Sequence, residues 1–180
     1  RLFGNPGSLR IISNACASGA NAIGQGFHLI HSGRAKRVIV GGYDALCQLV
    51  FCGFDALQAL TPSGIPRPFD AERDGLALGE GAGFLVLEES EVAIRRGAKI
   101  VASMDAYAAA TDIHHLTQPH PMGDAALGTM SAACAMAQVS ASDIDYINSH
   151  GTGTPLNDVA EAHAIARWAG EAVASRCVSS

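Results

Sequence analysis

Apolar and polar positions fall in short blocks along the chain, and these blocks predict strands and helices in turn. Compact apolar runs predict strands at residues 8–14, 37–42, 79–88, 99–106, 145–148 and 174–180. Stretches with apolar residues at helical spacing predict helices at residues 16–32, 91–97, 124–138 and 154–170. Strands that alternate with helices in this order indicate layered α/β architecture.

Local signals predict where several of these helices begin and end. The helix at 16–32 is apolar on nearly every side, which is typical of a buried helix, and Gly33 suits its C-terminal end. Asp124 can cap the helix that follows it. Thr154 as N-cap and Pro155 as first helical residue predict a sharp start for the last helix.

Composition narrows the possible partners and compartment. Charged residues make up only 16% of the chain, against a usual fraction of about 25%, so the sheets should bury both faces or the surface should serve as an interface. The net charge of −5 argues against nucleic-acid binding. The five cysteines are scattered and follow no signal peptide, and no apolar run is long enough to span a bilayer, which together favour a reducing cytosol and no membrane.

The two ends of the sequence lack the features of a complete chain. Arg1 stands where an initiator Met is expected, and residues 177–180 read as the beginning of a strand. We therefore expect a piece of a longer protein.

Cys16 is the first candidate for chemistry, because it lies between a predicted strand and the start of a predicted buried helix. The partial positive charge and unpaired N–H groups of a helix N-terminus favour a thiolate and can hold an oxyanion. Many free cysteines are instead small buried apolar side chains. Position alone leaves both interpretations open.

His150 is the second candidate, at the end of a predicted strand and ahead of the Gly-Thr-Gly-Thr sequence at 151–154. Glycines let a substrate approach the backbone, and a neutral imidazole can donate to a carbonyl that gains charge. A histidine fixed in a turn is an equally good explanation. Asp158 and Glu161 lie three residues apart on one face of the next helix, where helix capping alone would account for Asp158.

Two further patterns are weaker. The tract at 111–121 holds His114, His115 and His120, but their spacing matches no standard zinc pattern, so a loop beside a cavity is favoured over a metal site. The glycines of 79–83 precede a strand, whereas those of a nucleotide-binding loop follow one, so that interpretation is rejected.

Four stretches together resemble the β-ketoacyl-acyl-carrier-protein synthases, the condensing enzymes of fatty-acid and polyketide assembly. They occur in the family's order and span most of the chain: Asn14–Gly19, Arg67–Asp70 with Arg73–Gly75, Gly79–Glu88 and His150–Pro155. The resemblance implies a thiolase-like αβαβα fold, here incomplete. Residues 1–98 would be the latter part of its N-terminal half and residues 99–180 the first part of its C-terminal half.

The resemblance also implies a decarboxylative Claisen condensation. Cys16 would accept an acyl group as a thioester, and His150 would polarise the thioester carbonyl of a malonyl group. Glu161 matches the partner of a lysine that supports the site. The remaining matches would line the tunnel for the phosphopantetheine arm or support the site, and they are Thr152, Thr154, His115, Thr117 and Asp158.

The same resemblance implies which partners the protein has, and it allows this sequence to be compared with the family pattern. It implies an acyl carrier protein as partner, no cofactor beyond the carrier's phosphopantetheine, no metal, and a homodimer or a heterodimer with a related subunit. The family's lysine and second histidine would follow a strand like the one at 174–180. The sequence departs from the resemblance in the loop at 61–66, where a longer and more basic connection for carrier docking is expected.

Two other functions remain as alternatives. One is a Cys–His thioester hydrolase, which would release a free acid. The other is a non-catalytic subunit that shapes the pocket of a dimer partner. Retention of Cys16 speaks against the second, because such subunits usually lack the cysteine.

Overall fold

The structure, a computed structural model, describes residues 7–170 and 177–179. The chain divides into two compact units: the first unit takes residues 1–44 and 81–104, and the second takes residues 45–80 and 105–180. The helices and strands, in chain order, are α1 (Ser18–His31), β1 (Arg37–Asp44), α2 (Gln48–Ala56), β2 (Gly81–Glu88), α3 (Ser90–Arg95), α4 (Asp124–Ala137), a 3₁₀ turn (Ala141–Asp143), β3 (Tyr146–Asn148), α5 (Pro155–Ala169) and β4 (Cys177–Ser179).

The first unit is built on the antiparallel pair β1 and β2, with Arg37 opposite Glu88 at one end. Helix α1 packs closely on this pair through buried Gly24 and Gly26. A Cβ at Gly26 would collide with Val40, itself only 6% exposed. Absence of a side chain therefore lets the helix backbone approach the strand.

Glu88, at the end of this strand pair where it lies opposite Arg37, is hydrogen-bonded to two arginines. Glu88 accepts hydrogen bonds from Arg96, at 3.0 Å and 2.7 Å, and one from Arg37 at 2.5 Å. The hydrogen bond from Arg96, followed by that from Arg37, lowers the pKa of Glu88 to about 2. The carboxylate thus joins the strand pair to the chain just after α3.

The second unit contains the parallel pair β3 and β4, with Ile147 opposite Val178. Its core lies along α5, where four apolar side chains are at most 8% exposed: Ala160, Ala164, Ile165 and Ala169. Gly123, at φ +65°, precedes α4 and faces this alanine surface, so that a Cβ there would lie 2.7 Å from the Cβ of Ala164. Small residues on both elements allow this close approach.

Most of the predicted elements are confirmed, including β1, β2, β3, α3 and the start of α5 at Pro155 after Thr154. The strands predicted at 8–14 and 99–106 are wrong: within 7–170 and 177–179 no strand pairs with either segment. A strand needs a neighbour to accept its backbone hydrogen bonds. Of the strand predicted at 174–180, residues 174–176 and 180 lie outside the described part, and β4 occupies 177–179.

Three further details of the helices differ from the prediction. Helix α2 was not foreseen. Helix α1 is not wholly buried, since Gly24 and Gly26 are its only buried residues. Asp124 is the first residue of α4 rather than its cap, because Gly123 in the left-handed region occupies the N-cap position. No helix among the described residues has the length and apolar character needed to cross a membrane.

Candidate active site

Cys16 lies in a tight turn just before α1. Ala15, the preceding residue, has φ +47°, a left-handed conformation that is uncommon for a residue with a Cβ. The turn is closed by backbone hydrogen bonds from Ala17 N–H to the Asn14 carbonyl at 3.2 Å and from Ser18 N–H to the Ala15 carbonyl at 3.1 Å. Cys16 is exposed and stands two residues ahead of the first helical residue. The positive end of the helix dipole is therefore next to the thiol.

A second cysteine also stands at a helix start. Cys47 is the N-cap residue of α2 and is exposed, as is Cys52 within that helix. A position at a helix start is therefore shared by both cysteines, although α2 has no buried residue. What distinguishes Cys16 is that the residue before it, Ala15, has a left-handed backbone, whereas Leu46, the residue before Cys47, has no positive φ.

The backbone at His150 is held by Glu161, one side chain on the second turn of α5. The Glu161 carboxylate accepts the N–H of His150 at 2.6 Å through Oε1 and the N–H of Gly151 at 2.9 Å through Oε2. Asn157 donates weakly to the same carboxylate at 3.5 Å. His150 itself is exposed, while Ser149 and Gly151 on either side of it are buried. The imidazole thus extends from a fixed and partly buried backbone.

Asp158 is the most deeply buried charged group in the described residues, with 1% exposure. Its carboxylate accepts the N–H of Phe69 at 2.7 Å and the N–H of Gly153 at 3.2 Å, and Arg73 Nε lies 3.8 Å away. Phe69 has φ +63°. Asp158 therefore joins the loop around residue 69 to the glycine-threonine loop that follows His150.

Arg73 reinforces the same connection. Its guanidinium donates to the carbonyl of Thr154 at 3.2 Å and to that of Pro155 at 2.9 Å. The N–H of Gly75 donates to the carbonyl of Gly153 at 3.0 Å. The Arg-Pro-Phe-Asp and Arg-Asp-Gly sequences at 67–75, which contribute to the family resemblance, thus brace the His150 loop. No local sequence pattern indicates this role.

Thr152 and Thr154, the two threonines of this loop, are hydrogen-bonded to each other through their side chains. Their hydroxyls are 2.7 Å apart, and the Thr152 hydroxyl is 3.4 Å from an oxygen of Asp158. Both residues are half-buried. Their side chains have fixed orientations beside buried Gly153, where a Cβ would lie 2.7 Å from the carbonyl oxygen of Gly75.

His115 and Thr117 lie together in the exposed loop at 111–122. The Nδ1 of His115 accepts the N–H of Thr117 at 3.1 Å and that of Gln118 at 3.3 Å, so the proton of a neutral His115 resides on Nε2. Asp112 organises the loop by accepting the N–H groups of His120 and His114, and these bonds, in that order, lower its pKa. Among residues 7–170 and 177–179, no cluster of three His, Cys, Asp or Glu side chains could hold a metal ion.

The structure therefore brings Glu161, Asp158, Thr152, Thr154 and His150 together within the second unit. Cys16 belongs to the first unit; that it lies close to His150 is a prediction from the condensing mechanism, in which both residues face one pocket. Sequence reasoning missed Arg73 and Phe69, whose contacts with α5 span more than 80 residues of sequence.

Comparison with known proteins identifies the family. The family model of the β-ketoacyl synthase N-terminal domain matches residues 2–93, and that of the β-ketoacyl synthase C-terminal domain matches residues 101–180. The chain belongs to the β-ketoacyl synthase family.

Individual relatives agree with this assignment. The chain is 43% identical over 172 residues to 3-oxoacyl-[acyl-carrier-protein] synthase 2 of Synechocystis sp., covering 92% of this chain and 41% of the relative. It is 40% identical over 171 residues to the Staphylococcus aureus protein of the same name, covering 92% of this chain and 42% of that protein. The chain thus spans about two fifths of the length of these curated relatives.

Solved structures show the same fold. The chain superposes with a TM-score of 0.91 and 36% identity on a ketosynthase bound to the hexaketide and in complex with its type II PKS acyl-carrier protein, covering 95% of this chain and 44% of that one. For a β-ketoacyl synthase from Burkholderia phymatum the TM-score is 0.82 at 43% identity, with 88% and 40% covered. The thiolase-like α/β fold predicted from the sequence is confirmed for the part that this chain contains.

Proposed function

We propose that this chain carries the nucleophile and one catalytic histidine of a β-ketoacyl-acyl-carrier-protein synthase. The observation that carries the proposal is the left-handed turn that places Cys16 ahead of α1 in a chain matched by both domains of the family. The second support is the pair of hydrogen bonds through which Glu161 fixes the backbone of His150.

In the first step the Cys16 thiolate attacks the carbonyl carbon of an acyl thioester. The Sγ–acyl bond forms as the bond from the acyl carbon to the carrier's sulfur breaks, and the carrier leaves as a thiol after gaining a proton. The α1 N-terminus favours the anionic thiolate that this attack needs. No cofactor is required, because the acyl group arrives on the phosphopantetheine arm of an acyl carrier protein.

In the second step a malonyl thioester loses carbon dioxide, and the electrons of the broken carbon–carbon bond form an enolate. Neutral His150 donates its ring N–H to the thioester oxygen on which this charge accumulates. The enolate carbon then attacks the acyl carbon on Cys16. A new carbon–carbon bond forms, and Cys16 departs as a thiolate.

The residues around His150 and in the 111–122 loop bind the substrate arm in this proposal. Thr152 and Thr154 line the path of the phosphopantetheine, which is rich in amide groups that hydroxyls can bind. His115 and Thr117 border the same path. Glu161 and Asp158 support the site through backbone contacts rather than by touching substrate.

We extend the proposal to domain organisation, assembly and compartment. Residues 1–98 and 99–180 would belong to the two halves of the synthase, which is consistent with matches to two family domains. Exposed apolar side chains on one face of β1 and β2 favour a homodimer or a heterodimer with a related subunit: Ile39, Tyr43, Phe84 and Val86. The scattered cysteines favour a cytoplasmic location.

The direct test is product analysis with the full chain, acyl carrier protein, an acyl group and a malonyl group. The expected product is a β-ketoacyl thioester extended by two carbons, with release of carbon dioxide. Cys16→Ala should abolish acyl transfer, whereas Cys47→Ser should leave it unchanged. A free acid as the main product would instead establish the hydrolase, and turnover by Cys16→Ala would refute the nucleophile.

A further inference from the structure

The hydroxyl of Ser18 connects both sides of the turn that carries Cys16. Its Oγ accepts the N–H of Asn14 at 2.7 Å and donates to the carbonyl of Ala15 at 2.7 Å. Ser18 is the first residue of α1, two residues after Cys16. One side chain therefore links the start of the helix to the chain that enters the turn.

This turn is conformationally costly at one residue. Ala15 has φ +47°, where the Cβ of an L-residue crowds the backbone, and such a conformation persists only when surrounding contacts enforce it. The backbone bonds from Ala17 and Ser18 close the turn but do not bind the N–H of Asn14. The Ser18 hydroxyl supplies that contact. Water could satisfy each group separately, but it would not hold them at a fixed separation.

The common features of N-capping do not explain this arrangement. The N-cap residue of α1 is Ala17, which has no side-chain oxygen. Ser18 bonds backward, to residues three and four positions earlier, and not to the first N–H groups of the helix. Its hydroxyl therefore binds the turn around Cys16 and not the helix.

We infer that Ser18 is the positioning residue for Cys16: its hydroxyl holds Ala15 in the left-handed region and so keeps the thiol beside the N-terminus of α1. The inference rests on the proposed role of Cys16 as nucleophile. Without the hydroxyl, Ala15 relaxes toward a right-handed or extended conformation, Cys16 moves away from the helix axis, and the thiolate loses stabilisation. Ser18 itself touches no reacting atom.

The experiment measures alkylation of Cys16 by iodoacetamide as a function of pH in the full chain, with each cysteine quantified separately by mass spectrometry. Ser18→Val and Ser18→Thr form a matched pair of nearly equal shape, of which only threonine retains the hydroxyl. Since one unit of thiol pKa changes the thiolate population about tenfold below the pKa, we expect Ser18→Val to alkylate Cys16 roughly tenfold more slowly at pH 7. Its pH profile should move to higher pH. Ser18→Thr should stay within about twofold of the unmodified protein.

A rescue variant tests the mechanism itself. Glycine adopts positive φ without steric cost, so Ala15→Gly combined with Ser18→Val should recover most of the lost rate. Cys47 and Cys52 are internal controls, and the alkylation rate of each should be the same in every variant. An unchanged Cys16 profile in Ser18→Val, or equal loss in Ser18→Thr and Ser18→Val, would refute the inference.

Failure of the two proposals can be told apart, because alkylation does not require condensation. If the protein condenses acyl groups but the Ser18 variants alkylate alike, the positioning role is wrong and the synthase activity stands. If the alkylation difference appears without condensation, Ser18 positions Cys16 for another reaction. If Ser18→Val unfolds, Cys16, Cys47 and Cys52 alkylate at similar rates, and the comparison of Ser18→Thr with Ser18→Ala decides.

Discussion

Arg73, in the loop at 67–75, and Asp158, in helix α5, form an ion pair within the second unit, with Arg73 Nε 3.8 Å from Asp158 Oδ2 and Asp158 only 1% exposed. Both members also bind backbone groups of the segment after His150, since Asp158 accepts from Gly153 and Arg73 donates to Thr154. A buried charge with this many partners fixes geometry more than it adds stability, because desolvation offsets much of the attraction.

Removing one member of this pair should destabilise the second unit strongly. Asp158→Ala leaves the Arg73 charge and two backbone N–H groups without their acceptor, and we expect a loss of about 3 kcal/mol in unfolding free energy. Denaturant titration of the full chain measures it. Glu91→Ala removes the exposed pair with Arg95, at 3.4 Å, and should cost at most about 0.5 kcal/mol. Equal effects of the two substitutions would contradict the role of Asp158.

Glu161→Gln should affect turnover more than substrate binding. The amide oxygen can accept only one of the two N–H groups of His150 and Gly151, and the amide NH₂ then faces the other donor. Displacement of His150 by a fraction of an ångström to about 1 Å can slow chemistry by up to about a hundredfold. We expect kcat for condensation to fall tenfold or more with KM for the malonyl carrier nearly unchanged. Glu72→Gln, at a side chain 85% exposed, is the control. A rise in KM at constant kcat would show that Glu161 contacts substrate instead.

The sequence predicted the elements whose signals are local. Thr154 and Pro155 begin α5 where capping preferences place the start, and Gly33 at φ +69° ends α1. Helix α2 was not predicted, because its start carries Cys47 rather than a capping residue with a side-chain oxygen. Its Leu-Val-Phe run also suits a strand equally well. The hydrogen bonds from Arg73 and Phe69 were not predicted, because they join segments more than 80 residues apart. No local preference specifies such contacts.

Alanine substitutions at Gly153 and Gly128 should have opposite effects on stability. A Cβ at Gly153, at φ +74°, would lie 2.7 Å from the carbonyl oxygen of Gly75. Gly153→Ala should therefore cost about 2–3 kcal/mol through strain and impair condensation. Gly128 lies in α4, and a Cβ added there would have nothing within 4 Å, so Gly128→Ala should stabilise by about 1 kcal/mol through helix propensity. Thermal unfolding of the two variants separates the effects, and stabilisation by Gly153→Ala would refute the close approach.

Glu88 should make the stability of the first unit depend on acid. Its pKa is lowered to about 2 from an ordinary value of 4.5, first by Arg96 and then by Arg37. The stabilisation is therefore complete above about pH 4.5 and is lost as the pH falls toward 2. Amide hydrogen exchange along β1 and β2 at several pH values between these limits measures the loss. Glu88→Gln should flatten this dependence, whereas Glu91→Gln should preserve it. An unchanged acid dependence in Glu88→Gln would show that other carboxylates dominate.

The reactivity of Cys16 should exceed that of Cys47, although both stand at helix starts. Cys16 follows a left-handed residue, and its helix has 14 residues, whereas α2 has 9. In limited iodoacetamide treatment at neutral pH we expect Cys16 to be modified at least about fivefold faster than Cys47, Cys52, Cys134 or Cys177, because a lower thiol pKa raises the thiolate fraction. Cerulenin, an electrophile that also requires an acyl-binding cavity, should widen the difference. Urea should abolish it, since the helix that stabilises the thiolate is then lost. Faster labelling of Cys47 in the native protein would transfer the nucleophile assignment to α2 and overturn the proposed mechanism.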